Sequence, residues 1–123
     1  ALVFSWNTRN VSVGGGGTID CNANLDTWWK CGFPKATKPI SSPPCNDYVR
    51  PFCVFISNAT DVVMEDLRVQ NSPSWTLHFN NVRGLRLRRM TVVNPDIKPG
   101  VNTDGIDIDS CQDVLVEDSY IST

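Results

Sequence analysis

The sequence predicts an all-β protein, a right-handed parallel β-helix of three to four coils over residues 1–123. Three observations lead there. Residues 61–69, 84–92 and 113–121 share one pattern, two short alternating runs broken by a two-residue corner, at offsets of 23 and 29. The strands ahead of them keep those offsets, since Val54 and Ile56 match Leu77 and Phe79, which match Ile106 and Ile108. Helical periodicity is almost absent, so a leucine-rich repeat with one helix per turn does not fit. A period in the twenties built from short strands and corners is the signature of a stacked solenoid.

Each coil follows from its residues. Asn10-Val11-Ser12-Val13 reads as an earlier copy of the repeat with a large insertion after it. That insertion, residues 22–48, is irregular and rich in Cys and Pro. In the later copies Val62 and Met64, Leu85 and Leu87, and Val114 and Val116 alternate into the core, while Glu65, Arg86, Arg88 and Glu117 face water. The corner at 71–75 is short. The corresponding corner at 94–104 is longer and carries two prolines and a glycine, and solenoids place such insertions on a binding face.

Composition narrows the function. Net charge is −2, which offers no basic surface for nucleic acid, and no apolar run is long enough to span a bilayer. The first six residues are too short and lack the basic start of a signal peptide, so a secretory signal is expected to be removed or to lie upstream. The five cysteines include no Cys-x-x-Cys pair, which argues against zinc and for disulfides in an oxidising compartment. Cys31 and Cys45 are placed to close the insertion, Cys53 reads as a plain buried thiol on a strand, and Cys111 sits at a corner. Two sequons, at Asn10 and Asn58, agree with secretion and are expected glycosylation sites.

The chain is organised around Asn102-Thr103-Asp104-Gly105-Ile106-Asp107. Carboxylates on a strand edge beside a long turn suit acid–base chemistry on a sugar, a calcium site using Asp104, Asp107 and Asp109, or a solvated polar turn. Phase carried back from Ile108 and Ile106 points Asp104 into the core, in the slot held earlier by Phe52 and Trp75. A lone buried carboxylate is not tolerable, so Gly105 is expected to supply a bend that turns Asp104 outward beside Asp107. His78 reads as a surface or strand histidine. Arg86, Arg88 and Arg89 read as a solvated outer face, and Trp28 and Trp29 as packing under a loop.

These residues resemble glycoside hydrolase family 28, the polygalacturonases and related pectin hydrolases. The family's Asn-Thr-Asp-Gly motif stands as Asn102-Thr103-Asp104-Gly105, its Asn-Ser-Pro-x-Trp corner as Asn71-Ser72-Pro73-Ser74-Trp75. Arg50-Pro51 before a strand, and Gly17-Thr18-Ile19-Asp20 followed by Trp28-Trp29, are similar to two further family features, all in family order. The family's Gly-Asp-Asp, Gly-His-Gly and Arg-Ile-Lys motifs do not occur in these residues.

The resemblance implies part of a secreted, cell-wall enzyme that hydrolyses α-1,4-linked galacturonic acid in pectin with inversion and without a cofactor or metal. Its partner is a pectic polysaccharide, not nucleic acid or a membrane. Asp104 is the expected water-activating residue, and Asn102 and Asp107 the expected sugar contacts. The isolated chain is expected not to be a competent hydrolase. The alternative is a non-catalytic β-helix that binds or scaffolds carbohydrate.

Overall fold

The computed structural model describes residues 1–29, 50–96 and 102–123. Its strands are β1 (Val3–Val13), β2 (Thr18–Asp20), β3 (Val54–Glu65), β4 (Arg68–Gln70), β5 (Leu77–Arg88), β6 (Thr91–Val93), β7 (Ile106–Asp109), β8 (Gln112–Glu117) and β9 (Tyr120–Ser122). One sheet runs β1-β3-β5-β7, with β8 also on β5, and the other runs β2-β4-β6-β9. Every pairing is parallel. Strands that return in parallel after each circuit of the chain make a β-helix of four coils.

The register is the one the offsets predict. Val54 lies against Leu77 and Leu77 against Ile106, while Val62 lies against Leu85 and Leu85 against Val114. The early copy is present too, with Val11 on Val62 and Val13 on Met64. The inward columns close into one core in which Val54, Ile56, Val62, Met64, Leu77, Phe79, Leu85, Leu87 and Val92 are fully buried. Each such side chain contributes about 1.5–3 kcal/mol by leaving water. The same positions of the fourth coil keep more surface: Ile108 is 43%, Val114 37%, Val116 38% and Ile121 45% exposed. That end of the stack therefore presents apolar side chains to its surroundings.

Long strands turn where a residue adopts left-handed φ. Asn7, Asn58, Asn81 and Ser110 form one such column, with φ between 51° and 55°. Asparagine tolerates this region better than other side chains that carry a Cβ. It also supplies a ladder of side-chain bonds: Asn58 Nδ2 donates to Asn7 Oδ1 (3.1 Å) and Asn81 Nδ2 to Asn58 Oδ1 (3.1 Å). A second column holds Asn10, Asp61, Gly84 and Asp113, all at positive φ.

The cysteine reading needs correction at one place. Cys53 is not a plain thiol but is disulfide-bonded to Cys21, with Cα atoms 5.8 Å apart. The bond ties the end of the first coil to the start of the second. Cys111 is free and lies near the Asp109 carbonyl at 3.3 Å, while Cys31 and Cys45 lie outside the described residues. Trp29 is buried, and its indole N–H donates to the Ser72 carbonyl at 2.8 Å, which is the packing role expected. Arg88 pairs with Glu117 at 2.7 Å, and Arg89 with Asp66 and Glu65. Arg86 donates to the Asp113 carbonyl. The basic cluster is thus a hydrogen-bonded outer face.

Candidate active site

The entry to each coil breaks strict alternation, and this places the acidic stretch. Hydrogen bonds from Cys53 N to the Trp75 carbonyl and from Thr76 N to the Asp104 carbonyl set Phe52, Trp75 and Asp104 in one column. The next two positions of the second and third coils both turn inward. Cys53 and Val54 are fully buried, as are Thr76 and Leu77, and Gly105 is buried at the first of these positions in the fourth coil. The column before them therefore points outward in all three coils. The expectation that this slot faces the core is wrong for Phe52 and Trp75. Their rings are only partly covered, and they stack on each other at 5.4 Å. Asp104 is exposed, as expected, but because its column faces outward and not because Gly105 reverses it.

Gly105 answers to space instead. A Cβ there would meet Ile121 Cγ2 at 2.6 Å and Thr123 Cγ2 at 3.3 Å, and its φ is not positive. Gly105→Ala is expected to destabilise the fold by about 1–2 kcal/mol through overpacking. A urea midpoint equal to that of the parent chain would refute this packing role.

The Asn94 side chain holds the stretch in place. It is buried, accepts from Ser72 N (2.8 Å) and donates to Thr76 Oγ1 (2.7 Å) and the Thr103 carbonyl (3.0 Å). One amide thus fastens the short corner of the second coil, the start of β5 and the residue before Asp104. Arg50 anchors the other end, donating to the Pro73 carbonyl (2.8 Å) and to Asn102 Oδ1 (3.1 Å). Burial lowers the Arg50 pKa. Asn102 itself sits at φ 57°, a conformation asparagine accepts.

Asp107 lies in register with His78 and is half-buried, with Oδ2 enclosed and without a hydrogen-bond partner. Burial first, then the Asp104 carboxylate, push the Asp107 carboxyl above its ordinary value. His78 acts the other way, and Asp109 adds a smaller upward push. The folded protein therefore holds this proton more tightly than the unfolded chain. Asp107 favours folding at acidic pH and costs stability as pH rises through the carboxylate range.

His78 is on the strand expected but is not a surface residue, being 7% exposed. Phe52 and Trp75 meet its ring edge-on at 4.8 and 4.9 Å, Phe55 stacks on it at 5.0 Å, and Nε2 lies 2.6 Å from Asp109 Oδ2. The structure thus brings Asp104, Asp107, Asp109, His78 and Asn102 to one outer edge. Sequence reasoning missed Asn94, the Arg50–Asn102 bond and the His78–Asp109 pair. The offset of 29 that matches His78 to Asp107 was a usable signal for the last. Among the described residues no group of three or more His, Cys, Asp or Glu side chains is arranged to hold a metal ion.

The molecule is thus a parallel β-helix that carries acidic residues and one buried histidine along the outer edge of a strand. The family model of glycosyl hydrolases family 28 matches residues 2–123, and the chain belongs to that family. Similar proteins include a probable polygalacturonase of Vitis vinifera, 33% identical over 98% of this chain and 22% of its own length. A polygalacturonase of Malus domestica is 32% identical over 99% of this chain and 24% of its own length. The chain thus spans about a quarter of the length of these relatives. Among solved structures, a hyperthermoactive exopolygalacturonase of Thermotoga maritima superposes with a TM-score of 0.76 at 24% identity, covering 95% of this chain and 31% of that one. That likeness establishes the right-handed β-helical fold.

Proposed function

We propose that this chain is the N-terminal to central part of a secreted, polygalacturonase-like glycosidase that cleaves α-1,4-galacturonic bonds of pectin with inversion. The observation that carries the reading is the outward column at Asp104. A family 28 coil presents this carboxylate beside Asp107, with Asn102 held by Arg50. Asp104 activates the attacking water, Asp107 lines the groove and contacts the sugar, and Asn102 orients Asp104 or a substrate hydroxyl. Inversion needs a second carboxyl group roughly 6.5–9.5 Å away, with water between. We assign the proton donor to the adjoining coil, one strand layer or about 4.8 Å along the stack. The isolated chain is accordingly expected not to turn over polygalacturonate.

The test is reducing-end release from polygalacturonate by the longer protein that carries this chain, with the anomer of the first product read by NMR. Inverted product that disappears in Asp104→Asn supports the proposal. Tight binding without bond cleavage would favour the carbohydrate scaffold instead.

Secretion is supported by the Cys21–Cys53 disulfide. Of the two sequons, Asn10 is the one we assign to a glycan: it is exposed at a corner. Asn58 has both side-chain polar atoms engaged in the asparagine ladder. Mass mapping of protein from a secretory host should find a glycan at Asn10 and unmodified Asn58. A glycan on Asn58 would contradict that assignment.

A further inference from the structure

The described surface has a second concavity, around a bend of the solenoid away from the acidic stretch. A bay of about 310 Å³ opens between the asparagine ladder and the adjoining column. That column sets Arg9, Thr60, Arg83 and Gln112 in register across all four coils. Arg83 is steadied by two bonds to Gln112 Oε1, at 3.2 and 2.9 Å. Arg9 has no hydrogen-bond or ion-pair partner among the described residues, and no described carboxylate lines the bay. Arg88 and Arg89, by contrast, are each matched by acids. In a chain of net charge −2, two guanidinium groups left without an acid beside hydroxyl and amide groups form a site for an anion.

We propose that the Arg9–Arg83 bay binds a carboxylated oligosaccharide, a stretch of uronate chain lying across the coils outside the acidic groove. Arginine suits planar carboxylates because its forked donors meet both oxygens. Arg9 and Arg83 are two strand layers apart, about 9.6 Å by the usual spacing of 4.8 Å, so they address two carboxylates of one chain rather than one. Thr60 lies between them and can meet a sugar hydroxyl, with the asparagine ladder of Asn7, Asn58 and Asn81 as the facing wall. The acidic edge at Asp104, Asp107 and Asp109 repels a polyanion, and a basic bay on the same coils holds that polymer against the protein. The choice of uronate rests on the pectic-substrate reading above.

The experiment is a site-resolved NMR titration of the glycan-free chain with trigalacturonate, its methyl ester and inorganic phosphate in separate arms. Trigalacturonate should shift the Arg9, Thr60 and Arg83 signals. The methyl ester and phosphate should each bind at least about tenfold more weakly. Arg9→Gln with Arg83→Gln should weaken trigalacturonate binding at least about tenfold, and added salt should weaken it as well. These exposed substitutions cost little stability, and unchanged signals from buried core residues serve as the folding control. Shifts confined to Asp104 and Asp107, equal binding of phosphate, or affinity untouched by the double substitution would each overturn the proposal. The two readings fail separately. A bay that stays silent while hydrolysis depends on Asp104 removes only this site, and a bay that responds while Asp104→Asn retains full activity removes only the catalytic assignment.

Discussion

Replacing Asp104 with asparagine in the longer hydrolase proposed above should lower polygalacturonate hydrolysis by about 10²–10⁴-fold, the usual contribution of a positioned acid–base group. The substitution keeps size and shape, exchanges one acceptor oxygen for an amide donor, and removes the negative charge and with it the ability to take a proton from water. The Asp104 backbone carbonyl accepts from Thr76 N at 2.8 Å, and asparagine leaves that bond intact. The side chain is exposed, so the exchange should cost little stability. The loss should fall on kcat with KM little changed, because water activation is needed only in the transition state. Full activity in Asp104→Asn, or a loss confined to KM, would show that Asp104 binds sugar and does not activate water.

The largest effect on the fold is expected at Asn94. Asn94→Leu keeps the branched outline, adds apolar bulk and removes every polar contact of the side chain. Ser72 N loses its acceptor, and Thr76 Oγ1 and the Thr103 carbonyl lose their donor. Ser72 and Thr76 are both fully buried, and each buried polar group left unmatched costs about 1–3 kcal/mol. The three groups together cost about 3–9 kcal/mol, a large part of the roughly 5–15 kcal/mol that holds an ordinary domain folded. Urea unfolding should show a lower midpoint at an unchanged slope. The same variant should reduce catalysis in the longer protein, since the Thr103 carbonyl is the tether next to Asp104. A midpoint within experimental error of the parent would mean that the three strand entries hold together without this amide.

The arrangement explains how an acidic edge is kept on a solenoid. Outward columns cost nothing when solvated, but a carboxyl that is to act on a substrate, as proposed for Asp104, must also be held in one place. Here the backbone is fastened from inside by Asn94 and from the flank by Arg50, while aromatic rings wall the histidine beside it. Asp107 is covered enough that burial raises its carboxyl pKa from its ordinary value, and Asp104 is left open to solvent.

Much of this arrangement is legible in the sequence. The offsets of 23 and 29 predicted the pairing of Val54, Leu77 and Ile106 and of Val62, Leu85 and Val114, because parallel stacking repeats one register in every coil. Asp104 faces outward as expected, but for a different reason. Period-two alternation cannot show that two consecutive residues turn inward at a strand entry, as Cys53 with Val54 and Thr76 with Leu77 do. The Cys21–Cys53 bond was equally hidden, since the two cysteines meet only when the first coil returns beneath the second.

Periodicity of apolar residues was enough to dictate the stacked coils, their register and the strand edge that bears the Asn-Thr-Asp-Gly stretch, because burial of a repeated column has one solution. Which side chains close over that edge was settled only in three dimensions. His78 enclosed by three rings, Asn94 fastening three segments and the arginines left without an acid all depend on distances between coils, which no local pattern encodes.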